Sequence, residues 1–397
     1  MCNLKYTIVF LFSYCLLSCN NEKVKKENIY LSENLSIIRP INSLENMIDI
    51  EPLLDTVRYV KLELTDKSII GYIQKVAIFE DKIYVLDTQA SSLFVFDING
   101  KYLFKISQKG LGPHDYIQLD FFDIDIDKRE IVLTDLMGYW TMRYDLDGNF
   151  IKRKKISFFT EGIVPSSNGG FITYQNFRNN KENMKQEYNL FYIDSLMKPQ
   201  KAYFPYNSLE LTPPPTPRSG PFYHYNNNFY FFSIYGNEIY KIAKDSLILK
   251  YIFDFGNKTF DKNMLNSPEN LRLYLEKGEY NSVKSVQETD ELLCFSVSSS
   301  NVPILFTGYY SKVTKNMMYS PLYLIGKEGR ILGVPISSYG LWLINELPID
   351  DLVSWREDID KNNILIKNSF LERQKRVANS LTLDDNPVLM FYKLKKF

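Results

Sequence analysis

Histidine is nearly absent: the 397 residues contain only His114 and His224. A zinc site built on three imidazoles is therefore excluded, and any catalytic triad would have to use one of these two rings. No Gly-x-Ser-x-Gly elbow presents a nucleophile. No Asp-x-Asp-x-Asp-Gly loop offers calcium its usual ligands. Neither sign of charge dominates, with 47 basic residues against 47 acidic ones. No overall basic excess exists to draw in a phosphate backbone, so nucleic acid is not an expected partner.

Long apolar runs and cysteines are also scarce. The run Tyr6 to Leu17 has twelve residues, broken only by Ser13. It is short of the ~20 residues that a membrane-spanning helix needs and has the length of a signal-peptide core behind the positive Lys5. It ends in Leu16-Leu17-Ser18-Cys19, then turns polar at once with Asn20-Asn21-Glu22-Lys23. This resembles a lipobox, in which the cysteine thiol receives a diacylglycerol and the chain is cut before it. Cys19 is thus the expected lipidation site and residues 1–18 the expected leader. Of the four cysteines, at 2, 15, 19 and 294, only Cys19 and Cys294 would then remain. With Cys19 acylated, no intramolecular disulfide can form and the exported part must hold together by its core. Cys294 lies in the apolar Leu292-Leu293-Cys294-Phe295 and reads as an inert buried thiol. Residues 19–49 are polar and without sustained period, which reads as a tether, flexible in its first part.

What the chain has instead is a repeat. Ile83-Tyr84-Val85-Leu86-Asp87 followed by Leu93-Phe94-Val95-Phe96-Asp97-Ile98-Asn99-Gly100 aligns without a gap on a second segment. That segment is Ile131-Val132-Leu133-Thr134-Asp135, then Thr141-Met142-Arg143-Tyr144-Asp145-Leu146-Asp147-Gly148, 48 residues later. Asn-Gly and Asp-Gly between apolar runs signal hairpins, because these residues tolerate positive φ. Weaker copies follow at Gly170–Tyr174 with Leu190–Asp194, and at Phe229–Phe232 with Ile239–Ile242. Two more are Leu292–Val297 with Leu322–Ile325, and Gly340–Leu343 with Val388–Leu394. The last pair brackets a rough amphipathic stretch from 349 to about 381.

Six such units, each a small sheet unable to bury both faces alone, predict an all-β fold: a six-bladed β-propeller with a helical insertion in the last blade, over residues 50–397. Val57 to Leu64 alternates like an edge strand, and we expect it to complete the last blade beside Val388–Leu394, closing the ring. A β-sandwich has no reason for a 48-residue repeat with fixed Asp spacing, and hexapeptide β-helices repeat far faster.

The repeat Ile-Tyr-Val-Leu-Asp … Phe-Asp-x-x-Gly-Lys resembles the NHL-type six-bladed propellers. Cys19 in its lipobox, the loop Gly110-Leu111-Gly112-Pro113-His114-Asp115-Tyr116 and the ending Asn386 to Lys395 resemble a narrower group. That group is the six-bladed propeller lipoproteins of Gram-negative bacteria. The resemblance implies fold and cell-envelope location, and almost nothing about activity. The family commonly carries Gly-Pro-Gly-Glu-Tyr in this loop, so His114 and Asp115 are departures.

His114 and Asp115 are the candidate binding residues, presented by a loop that two glycines and Pro113 shape. The plainer alternative is a turn with Tyr116 packed as a peg between blades. Asp87, Asp97, Asp135 and Asp145 recur at equivalent positions in different blades, as turn-capping carboxylates would. Asp123-Ile124-Asp125-Ile126-Asp127 alternates like a strand with one wet face. Thr212 to Pro221 is a stiff extended connector between the third and fourth blades. Tyr223-His224-Tyr225 and Tyr309-Tyr310 could line a sugar-stacking face, although blade cores consume most aromatics. Neither a cofactor nor a metal is implied.

Two functions remain open from sequence. One is a non-enzymatic binding or scaffold lipoprotein of the cell envelope. Its outer-membrane residence would be mildly favoured by Asn20 after Cys19, and its partners would be the membrane through Cys19 and a glycan, peptide or envelope protein. The other is a channel-centred hydrolase or lyase, with carboxylate-held calcium if a metal is used.

Overall fold

The structure is a computed structural model that describes residues 25–26, 29–40, 47–48, 50–180, 184, 187–206, 218, 220–233, 235–278, 280–299, 302–321, 334–366 and 369–397. Cys19, Leu322–Ile325 and most of 212–221 lie outside the described residues. Strands make six antiparallel sheets of four, two of them extended by a fifth strand.

The chain begins with β1 (Lys25–Lys26), β2 (Ile29–Ile38) and β3 (Leu54–Lys61). Blade 1 follows as β4 (Lys75–Phe79), β5 (Lys82–Asp87), β6 (Ser92–Asp97) and β7 (Tyr102–Ile106). Blade 2 is β8 (Phe121–Asp125), β9 (Glu130–Asp135), β10 (Trp140–Asp145) and β11 (Phe150–Lys155). Blade 3 is β12 (Gly162–Pro165), β13 (Phe171–Tyr174), β14 (Tyr188–Ile193) and β15 (Pro199–Pro205). Blade 4 is β16 (Phe222–Tyr225), β17 (Asn228–Phe232), β18 (Glu238–Ile242) and β19 (Leu247–Phe253). Blade 5 is β20 (Asn281–Glu288), β21 (Leu292–Ser299), β22 (Val302–Ser311) and β23 (Met317–Ser320). Blade 6 takes β24 (Ser337–Tyr339), β25 (Trp342–Leu347), β26 (Val388–Leu394) and, as its outermost strand, β3.

The ring therefore closes by hydrogen bonds between the two ends of the propeller. β3 pairs antiparallel with β26 from Val388 opposite Lys61 to Leu394 opposite Leu54. The burial of Leu54, Val57 and Val60 at every third residue shows the strand twisting as it packs against its neighbours.

Each pair of adjacent blades buries its own apolar cluster. Blades 1 and 2 share Tyr84, Leu86, Phe122, Ile131 and Leu133. Blades 3 and 4 share Ile172, Leu190, Phe222 and Phe231, and blades 6 and 1 share Ile344, Phe391, Ile83 and Phe94. Among these inter-blade clusters aromatic side chains outnumber the others on either side of blade 4, where large flat groups fill the wedge between two twisted sheets. Cys294 is buried between blades 5 and 6, and burial pushes its thiol well up, as befits an inert position.

Two helices, Ile349–Lys361 and Ser369–Asn379, fall between β25 and β26 in the chain and bury Leu352, Trp355, Ile359 and Leu371 on the cluster of blades 5 and 6. A third helix, Pro268–Lys277, precedes blade 5, with Ser267 capping its start and Gly278 in the left-handed region at its end.

Three expectations need correction. The partner of β21 is β22, Val302–Ser311, rather than Leu322–Ile325. The alternation at Asp123 and Asp125 is no wet face, since both carboxylates are buried and ion-paired. Where it is described, the expected tether is bound. β1 adds in parallel to the outer edge of blade 3 and β2 to that of blade 4, while Ile48 N donates to Tyr319 O in blade 5. The segment is a belt along three outer edges, and it covers strand backbone that would otherwise be unpaired.

Candidate functional site

The six inner strands β4, β8, β12, β16, β20 and β24 run side by side around the axis, so residues at equivalent strand positions converge there. Two cavities lie along it. The larger, about 300 Å³, opens among the turns that join first to second strands. Phe79, Tyr225, Asn226, Asn227, Asp290, Tyr339 and Gly340 form its mouth, and Lys75, Asp123, His224 and Gln287 its interior. Asn226 and Asn227 both have positive φ, a two-residue turn that asparagine tolerates. The smaller cavity, about 160 Å³, lies at the other end among Gln74, Asp120, Glu161, Arg218 and Gly220.

Inside the larger cavity, three blades contribute one polar cluster. Lys75 Nζ of blade 1 donates to Asp123 Oδ2 of blade 2 at 2.6 Å and to Phe122 O at 3.2 Å. His224 of blade 4 brings Nε2 to 2.9 Å from Asp123 Oδ1. The ring N–H is not aimed along that line, so this is an electrostatic contact rather than a well-formed hydrogen bond. Burial alone would raise the Asp123 carboxyl, but the Lys75 and His224 charges outweigh it and hold the group well below the usual carboxylate range.

Beside the mouth, Glu288 of blade 5 is fully buried and saturated. Its Oε1 accepts from Lys250 Nζ at 3.0 Å, Lys312 Nζ at 2.9 Å and Tyr251 OH at 2.9 Å, and its Oε2 from Tyr223 OH at 3.1 Å. The Lys312 ammonium also sits 3.8 Å from the centre of the Tyr225 ring. The Tyr225 hydroxyl is pushed up to about 12, chiefly by burial, then by Glu288 and Asp290.

At the opposite end, Arg218 reaches from the connection before blade 4 to the far side of the ring. Its Nη1 lies 2.7 Å from Glu346 Oε2 of blade 6, its guanidinium 4.6 Å from the Tyr72 ring, and its carbonyl accepts from Gln74 Nε2 at 2.5 Å. Burial raises the Glu346 carboxyl, with Arg218 opposing. Asp120 is raised to about 6, chiefly by burial, with Asp135 adding to the effect and the Leu136 N–H opposing it.

The residues singled out by sequence divide clearly. His114 and Asp115 are together on the loop before blade 2 and line neither axial cavity. His114 stacks on Phe150 with ring centres 4.3 Å apart, and Asp115 Oδ2 accepts from Gly112 N at 2.8 Å. Tyr116 is buried, its hydroxyl donating to Ser91 O at 2.7 Å. The four repeated aspartates are turn caps. Asp87 accepts from Gly71, Tyr72 and Ala90 N–H groups, and Asp135 from Ile117 and Gly138. Asp97 and Asp145 hold the Asn99 and Lys101 or Asp147 and Asn149 amides. Among the described residues, no group of three or more His, Cys, Asp and Glu side chains is placed to hold a metal.

Sequence reasoning missed the Lys75–Asp123 pair. Their 48-residue separation equals one repeat but does not mark the pair, because Lys75 lies opposite Leu86 and Asp123 opposite Val132, so Asp123 sits two positions further along its inner strand.

The family model for a domain of unknown function, DUF4934, matches residues 35–393. The chain belongs to the DUF4934 family. A crystal structure of a Bacteroides fragilis protein described as exported superimposes on this DUF4934 chain with a TM-score of 0.73. The two are 19% identical over 91% of this chain and 100% of that one, a likeness that shows the fold alone. A DUF4221 family member from Bacteroides vulgatus, 11% identical over 86% and 97% of the two chains, has a TM-score of 0.47 and carries no argument. No curated protein matches the chain.

Proposed function

We propose that this DUF4934 propeller is an exported, lipid-anchored binding protein of the cell envelope, held through Cys19 at the outer membrane, whose axial cavity takes a small polyhydroxylated ligand such as the end of a glycan. It acts without chemistry on that ligand. The reading extends to the NHL-like lipoprotein group and to helices inserted in the last blade.

The observation that carries it is the character of the large cavity. Its buried carboxylates are already paired in place, Asp123 with Lys75 and Glu288 with Lys250 and Lys312. What faces the opening is an uncharged set of amides, hydroxyls and rings (Asn226, Asn227, Ser338, Tyr225, Tyr339), with Asp290 at the rim. Such a surface suits hydroxyl groups and the flat apolar face of a sugar ring better than an ion. A volume near 300 Å³ is at the small end for ligand sites.

A second reading has one observation in its favour. His224 beside a buried carboxylate is the pairing a general base uses, although Lys75 competes for the same Asp123.

The test is calorimetric titration of common mono- and disaccharides into the purified chain, with product analysis of each mixture. Binding that is lost in Tyr339→Ala and leaves the sugar intact supports the proposal. Turnover that disappears in His224→Ala would establish the enzyme. Mass spectrometry of the mature N-terminus tests the anchor: an unmodified residue there, or a cut elsewhere, removes it.

A further inference from the structure

We infer that the N-terminal belt turns the mouth of the axial cavity toward the membrane. This rests on the anchored reading above and adds a direction to it.

β1 pairs in parallel with β15 through Lys25 opposite Lys201 and Lys26 opposite Ala202. β2 pairs in parallel with β19 from Ile29 opposite Leu247 to Ile38 opposite Phe253. β15 and β19 are the outermost strands of their blades, and each starts at the turn from the third strand. In a four-stranded antiparallel blade that turn lies on the same face as the turn from first to second strand. The chain therefore meets the ring on the face that carries Phe79, Asn227, Asp290 and Gly340, and leaves it on the opposite face at Ile38. There Asp254 N donates to Ile38 O at 2.8 Å and Arg39 Nε to Asp254 Oδ2 at 3.1 Å.

Lengths decide the rest. From Cys19 to Lys25 the chain spans at most about 20 Å when fully extended. Lys25 lies opposite Lys201, so running along the edge of β15 to Pro205 would consume about 13 Å of that reach before any approach to lipid. A chain fixed to the bilayer at Cys19 thus has little length left with which to lower the far face, with Leu111 and His114, onto the membrane. The face with the cavity mouth is the one held near it. A ligand then enters from the gap between propeller and bilayer, while Arg218 spans the end of the axis that points away.

Orientation is read by energy transfer to headgroup-labelled lipid from a donor at Asp127→Cys or Leu111→Cys. Both positions are exposed, Asp127 on the first turn of blade 2 and Leu111 on the loop that enters blade 2 from the opposite face. Cys294 is buried and stays unlabelled. The full lipidated chain in vesicles should show at least twofold more transfer from 127 than from 111. A twenty-residue Gly-Ser insertion before Lys25 should abolish the difference. In a parallel arm a hexahistidine replaces Cys19 and holds the chain on nickel-chelating vesicles, which measures the belt geometry independently of lipidation. Equal or reversed transfer in both arms overturns the inference. If the native chain fails to float with vesicles while the tagged chain keeps the asymmetry, the anchor is wrong and the membrane-facing mouth falls with it.

Discussion

Glu288 is where the propeller depends most on a single charge, and Glu288→Gln isolates that dependence. The carboxylate accepts four hydrogen bonds, two from ammonium groups that are themselves largely covered, with Lys250 and Lys312 side chains 21% and 17% exposed. Glutamine keeps the shape and one acceptor oxygen. It removes the charge, however, and turns an N–H₂ toward donors that need an acceptor. Breaking a buried pair by removing one partner costs about 3–5 kcal/mol, because the other charge is left without compensation. Both lysines retain some water, which places the expected loss near the lower end, about 3 kcal/mol. For a domain of this size about 2 °C of melting temperature is lost per kcal/mol, so Glu288→Gln should melt about 6 °C lower. The assay is differential scanning calorimetry at matched scan rate. Adding Lys250→Met and Lys312→Met to Glu288→Gln should recover much of the loss, since no uncompensated charge then remains. A Glu288→Gln melting point within 1–2 °C of the parent, on the same scale, would refute the claim that this carboxylate neutralises the wall beside the cavity.

Asp120 has its carboxyl raised to about 6. A raised carboxyl contributes stability that is complete below the unfolded pKa near 4 and is lost as pH rises through 6. Asp120→Asn should therefore stabilise the protein at pH 7.5 by about 1 kcal/mol and flatten the fall in melting temperature between pH 4 and 7. Tyr116→Phe leaves Ser91 O and Gln108 N without a partner and should cost about 1–3 kcal/mol, whereas exposed His114→Ala should change stability by less than about 0.5 kcal/mol. If His114→Ala proves the more damaging in thermal melts, the loop does more than seat Tyr116. At Gly308 an added Cβ would meet the buried Phe295 ring well inside van der Waals contact. Gly308→Ala should cost about 1–3 kcal/mol by denaturant titration, and a neutral result would mean the core of blade 5 can yield.

Fold and site were legible in the sequence to different degrees, for physical reasons. Blades 1 and 2 are visible because their Asp97 and Asp145 turns need short carboxylates and their Gly100 and Gly148 need positive φ, so composition is pinned at fixed spacing. Ring closure is visible because β3 carries apolar residues (Leu54, Val57, Val60) that it must bury against its neighbours. β2 is not, because Ile29–Ile38 joins blade 4 through main-chain pairing at an edge, with Tyr30, Leu31 and Ile37 still exposed, so its side chains carry little trace of the partner. The cavity cluster is hidden for another reason: Lys75, Asp123 and His224 come from three blades and meet only when the ring forms. His114 drew notice as a rare residue on a glycine-rich loop, while the other histidine sits on the axis.

On the proposed function, the axial cavity is the binding site. It is tested most directly by a crystal soaked with the saccharide that titration shows to bind best. Difference density should lie in the 300 Å³ cavity against Tyr339, Asn227 and Asp290, with the sugar intact. Density confined to the outer face around His114, or a cleaved sugar beside His224, would contradict it.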